Sequence, residues 1–231
     1  MLLQDRNTII YGAAGSIGAA VARAFAREGA TVHLCGRTRE PLQALADELA
    51  ASGCRAEVAV LDALDERAVD EHAQAVAASH GGVDVSLNLV TRGDVQGIAL
   101  VDMPWEDFER PVTTGLRATF NTARSAARIM AEQGSGVIIS LTSGSARGSA
   151  PMMGGTGPAD AATETFLRYL AAEMGPRGVR VAGIYAAGVA GTLTVEKVAK
   201  VAANAPDIEQ IDRMLKSFTM LKRRTELDDV A

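Results

Sequence analysis

No lysine occurs in the first 196 residues; the four in the chain are Lys197, Lys200, Lys216 and Lys222. Any chemistry in that long stretch that needs a lysine amine is therefore excluded. Cysteine is almost as scarce. Cys35 and Cys54 flank an expected helix and have no redox or metal spacing. His33, His72 and His80 are scattered along the sequence, so no metal site is expected. No apolar run is long enough to span a bilayer, and the run 181–191 is short and broken by glycine. The net charge of −5 argues against a nucleic-acid surface, which leaves Lys222-Arg223-Arg224 as a solvated turn. An expected strand begins almost at once, where a leader peptide would need a long apolar segment, so a soluble cytoplasmic protein is expected.

What is present is alternation. The 231 residues, 48% of them hydrophobic, suit one α/β domain with a full core. Strands are expected at 8–10, 31–35, 57–61, 83–90, 137–141 and 179–185. Helices are expected at about 17–28, 39–51, 65–80, 105–132, 158–174 and 207–218, with a loop over 186–205. Strand and helix in turn imply a doubly wound parallel sheet of Rossmann type, three layers α/β/α, in a single domain. Ligands of such sheets bind beyond the C-terminal strand ends, where the strand order reverses.

The first strand-to-helix junction reads Tyr11-Gly-Ala-Ala-Gly-Ser-Ile-Gly18. Gly12 permits a turn that a Cβ would hinder, and Gly18 lets the helix approach the sheet. The free N–H groups of the first helical turn then face a dinucleotide pyrophosphate. Gly12, Gly15, Ser16, Ile17 and Gly18 are the expected phosphate-side contacts. The end of the second strand reads Cys35-Gly-Arg-Thr-Arg39, with no acid until Glu40. An acid there would select NAD. Arg37 instead offers its planar fork to a 2′-phosphate, which favours NADP over NAD.

These motifs resemble those of the short-chain dehydrogenase/reductase family, from about residue 5 to the end. The glycine turn is similar to the family's TGxxxGxG. Asp62 resembles the aspartate that contacts adenine, and Asn88 begins the stretch that stands for NNAG. Arg180 to Gly188 followed by Thr192 resembles the loop that holds the nicotinamide, which implies contacts from Gly188 and Thr192. The resemblance implies hydride transfer between a nicotinamide and a small carbonyl or alcohol. It also implies a homo-oligomer packed through the 105–132 and 158–174 helices. The tail from Leu221 resembles the stretch before a final helix and strand, so the sequence is expected to belong to a longer protein.

Carried over one at a time, the catalytic residues form a broken set. The serine position is Ser143. The tyrosine position, thirteen residues later, is Thr156, the lysine position is Asp160, and the asparagine position is Gly115. A threonine hydroxyl has no usable ionisation near neutrality, and Asp160 reverses the charge of lysine. Pro158 should open its helix, placing Asp160 in a first turn where a carboxylate suits the helix dipole; accepting nicotinamide ribose hydroxyls is its functional alternative. Arg92 reads as a solvated loop residue, Tyr185 as a locally packed one and Tyr169 as interface or core. Ser143, Thr156 and Asp160 remain the candidate catalytic positions. Two functions stay open: an oxidoreductase with a rearranged site, or a non-catalytic NADP-binding sensor or inactive partner subunit.

Overall fold

A computed structural model describes residues 1–186, 188–192, 208–217 and 219–231. Most of the expected 186–205 loop, with Lys197 and Lys200, lies outside the described residues.

Six parallel strands form one sheet in the order β3-β2-β1-β4-β5-β6. They are β1 Asn7–Tyr11, β2 Thr31–Gly36, β3 Arg55–Val60, β4 Val85–Asn88, β5 Gly136–Ser143 and β6 Val179–Ala186. The helices are α1 Ser16–Arg27, α2 Arg39–Ala51, α3 Glu66–His80, α4 Trp105–Gln133, α5 Thr156–Met174 and α6 Ile208–Ser217. The order reverses between β1 and β4, which opens a crevice above their C-terminal ends.

Successive β1 residues serve opposite cores, as strand alternation requires. Ile9 and Tyr11 pack with Val69, Val76, Ala126 and Met130 from α3 and α4. Ile10 packs with Val21, Leu42, Leu45 and Leu87, under α1 and α2. Both faces of the central strands are thus covered, which is why they read as unbroken apolar runs. Small residues on α4, among them Ala118, Ala123, Ala126 and Ala127, are nearly or fully buried and let that long helix lie close to the sheet.

Asp65 caps α3, accepting hydrogen bonds from Arg67 N and Ala68 N at 3.0 and 3.1 Å. Helix α5 starts at Thr156, two residues before the expected start at Pro158. The proline stands third in the first turn, where its missing N–H leaves no bond unmade. No described helix is long and apolar enough to cross a membrane.

Candidate active site

The glycine turn has the shape its sequence implies. Gly12 has φ +81°, and a Cβ on it would lie 2.6 Å from the Leu89 carbonyl oxygen. A Cβ on Gly18 would lie 2.3 Å from the Gly12 carbonyl oxygen, so α1 closes tightly on the turn. Gly15 caps α1 without any side-chain hydrogen bond, and no acid stands in the first turn. The first N–H groups of α1 therefore carry no side-chain cap, and the positive end of the helix is left to an anion. Such a cradle fits the pyrophosphate of a dinucleotide. The Ser16 hydroxyl donates to the Gly191 carbonyl oxygen at 3.3 Å, tying the turn to the chain beyond β6.

Next to this turn lies a cavity of about 210 Å³. Ile17, Asn88, Ser143, Asp160, Gly188 and Thr192 all line it, so six of the expected site residues meet there. Asn88 is fixed from both ends: its amide donates to Thr119 Oγ1 at 2.9 Å, and its Oδ1 accepts from Val90 N. Asp62 folds onto its own chain, accepting from Leu64 N at 3.0 Å. Arg37 is exposed at the end of β2 and makes no ion pair among the described residues. Tyr11, where the resemblance has threonine, is buried, and burial pushes its hydroxyl well above the ordinary tyrosine range. It stays protonated and belongs to the core.

The catalytic positions depart further from expectation. Thr156 is buried, receives a hydrogen bond from Gln96 Nε2 at 3.2 Å, and does not line the cavity. Gln96, on the loop after β4, is its hydrogen-bond partner at the start of α5. Asp160 is fully buried and is no simple helix-dipole residue. It accepts from Ser143 Oγ at 2.5 Å and pairs with Arg92 Nη1 at 2.5 Å. Arg92 is therefore not a solvated loop residue. Its guanidinium spans Asp160 on one side and Asp94 on the other, at 3.1 Å. Gly115, at the asparagine position, makes this route open, since a Cβ there would lie 2.5 Å from Arg92 Cδ.

Two positions that the resemblance leaves unmatched thus fit one another through Arg92: the missing side chain at 115 admits it, and it supplies the countercharge for a buried Asp160. Ser143 Oγ also accepts from Ser145 N at 3.2 Å. Its hydrogen is committed to Asp160, and one acceptor position remains on the oxygen. Tyr185 is half exposed on β6, and no lysine lines the cavity among the described residues. Arg92, expected in solvent, is the residue that the sequence pattern did not bring to the site. Asp160 was expected in a first turn, and it is its full burial in the structure that demands a cation beside it.

Residues 12–231 match the protein family described as enoyl-(acyl carrier protein) reductase. The chain belongs to the short-chain dehydrogenase/reductase family. It is 33% identical over 236 residues to an L-rhamnose 1-dehydrogenase (NAD(P)(+)) of Azotobacter vinelandii, covering all of this chain and 88% of the relative. A short-chain type dehydrogenase/reductase from Mycobacterium marinum superimposes with a TM-score of 0.81 at 26% identity, over 99% of this chain and 85% of that one. A metagenomic short-chain oxidoreductase in complex with NADP gives a TM-score of 0.73 at 27% identity, over 80% and 83% of the two chains.

Proposed function

We propose that this short-chain dehydrogenase/reductase is an NADP-dependent oxidoreductase that oxidises a hydroxyl of a small, hydroxyl-rich molecule of the sugar or polyol class. The observation that carries this proposal is the linked set Ser143, Asp160 and Arg92 beside the cavity. The exposed Arg37 and the absence of an acid at the end of β2 support NADP over NAD. A relative named for L-rhamnose and a cavity lining that includes Asn88, Thr119, Ser140 and Thr163 support a hydroxylated substrate.

The nicotinamide, when bound, supplies the hydride acceptor. The chain handles the proton. With its own hydrogen pointing to Asp160, Ser143 Oγ offers its remaining acceptor position to a substrate O–H. As that O–H proton passes to Ser143 Oγ, the serine proton passes to Asp160 Oδ2, and the substrate oxygen is left to form its carbonyl. Ser143 is unchanged by the relay, and Asp160 holds the proton. Arg92 holds the carboxylate in line and balances its buried charge. A threonine hydroxyl has no such role, and Thr156 serves to hold Gln96 at the start of α5.

The second reading, an NADP-binding protein without turnover, is favoured by one observation: no tyrosine or lysine lines the cavity among the described residues. It predicts cofactor binding and nothing more. Fluorescence titration with NADPH and NADH comes first; no binding at millimolar cofactor overturns both readings. A panel of sugars and polyols with NADP, run on the native protein and on Ser143→Ala and Asp160→Asn, then separates them. Turnover that falls in both variants supports the relay. Turnover indifferent to Ser143→Ala overturns it, and binding with no turnover across the panel selects the second reading.

A further inference from the structure

Although scattered in the sequence, all three histidines gather on the α3 face of the sheet. His33 on β2 and Glu57 on β3 are register partners, so their side chains leave the sheet on the same side. His80 is the last residue of α3, and Gly81 at φ 81° turns the chain away behind it. The His33 ring stands edge-on to both others, with centroids 4.8 Å from His80 and 6.3 Å from His72. Glu57 lies between two of the rings, with Oε2 3.5 Å from His33 Nδ1 and Oε1 3.1 Å from His80 Nε2. One donor atom from each of these three residues falls within 4.8 Å of the others.

We propose that His33, Glu57 and His80 form a binding site for a divalent transition-metal ion, with water completing the coordination. At zinc–ligand distances of about 2.0–2.1 Å in tetrahedral geometry, neighbouring donor atoms stand roughly 3.4 Å apart. The two contacts of Glu57 already have that spacing, and small rotations of the Glu57 and His80 side chains bring in the third. Two imidazoles and one carboxylate suit zinc, cobalt or nickel, whereas magnesium and calcium prefer all-oxygen cages.

Burial is divided as such a site requires. His33 is buried and held in place, while the Glu57 side chain is 55% exposed and leaves a way in for the ion and for water. None of the three residues lines the cavity by the glycine turn, so the ion serves the scaffold. It fastens the edge strand β3 to β2 and to the end of α3, and a ligand held only by the folded state stabilises that state.

The test uses protein stripped with EDTA, titrated with cobalt(II) while visible absorption is followed, then with zinc in competition. The native chain is compared with Glu57→Gln, His80→Asn, His72→Asn and Cys54→Ser. Glu57 and His80 reach solvent, so their variants keep the fold, which circular dichroism verifies. The expected result is one equivalent of cobalt with a ligand-field band, displaced by zinc. Affinity should fall at least about tenfold in Glu57→Gln and in His80→Asn and stay unchanged in the other two. Thermal unfolding should rise with zinc in the native chain and stay flat in the two ligand variants. Absence of a saturable single equivalent overturns the proposal. So does binding that survives both ligand substitutions, or binding lost in His72→Asn or Cys54→Ser alone.

Discussion

Arg92 occupies the space that a side chain at position 115 would fill, its Cδ 2.5 Å from the Cβ that Gly115 lacks. The two positions therefore depend on one another. In Gly115→Asn the new side chain competes with the arginine for one volume. Overpacking of this kind costs about 1–3 kcal/mol, to be read as a lower urea midpoint at unchanged slope. An Asn at 115 that leaves the midpoint unmoved would show that Arg92 has another route to Asp160.

The Arg92–Asp160 pair is mostly withdrawn from water, with the aspartate side chain 1% exposed. Removing one partner of a buried pair strands the other, at a cost of about 3–5 kcal/mol. Arg92→Met should therefore destabilise strongly. The double variant Arg92→Met/Asp160→Asn should recover much of that loss, because the fully buried charge is gone and only the partly exposed Asp94 is left without a cation. A double variant as unstable as the sum of its singles would mean that the two side chains do not act as a pair.

Not all of this was legible in the sequence. Alternation placed every described strand and α-helix, with ends shifted by a few residues at most, because both faces of the central strands are covered and they read as apolar runs; the short 3-10 turns at 144–146, 175–177 and 227–229 carry no such pattern. The start of α5 slipped because Pro158 is tolerated anywhere in a first turn, and sequence alone does not say at which position it stands. The source of the cation at Asp160 was hidden for a different reason. Arg92 lies 68 residues away, on a loop whose path is set by a missing side chain on a third element. The histidines read as scattered because only strand register puts His33 opposite Glu57.

Arg37 is exposed at the end of β2 and makes no ion pair among the described residues, so its removal should leave the fold intact. Arg37→Ala should weaken NADPH by roughly tenfold to a hundredfold, the range for hydrogen bonds to a charged group, and leave NADH nearly unchanged. Equal losses for the two cofactors in fluorescence titration would mean that the arginine does not meet the 2′-phosphate.

Gly18→Ala sets a methyl group 2.3 Å from the Gly12 carbonyl oxygen, an approach that only displacement of the turn relieves. Affinity for NADPH should fall at least about tenfold, since the N–H groups that face the phosphate move with the turn. An alanine at 18 that binds NADPH normally would remove the turn from the cofactor site.

Phe120 on α4 packs against Phe166 on α5, with ring centroids 5.6 Å apart and the rings tilted by 56°, yet remains 41% exposed, and Tyr169 on α5 is 69% exposed. Association through these two helices would cover both. Phe120→Glu should then shift the mass measured by light scattering toward a single chain. Native protein already running as one chain would dismiss this interface.

The hydrogen bond from Ser16 to Gly191 makes the phosphate turn its own rival for ligand. A hydroxyl that holds the backbone beyond β6 is not at the same moment turned to a phosphate, and a bond of this kind contributes on the order of 1 kcal/mol. Where the Ser16 hydroxyl is to meet a phosphate, opening that tether is part of the cost of binding, and an effector that opens it without disturbing Gly188 or Thr192 lowers that cost.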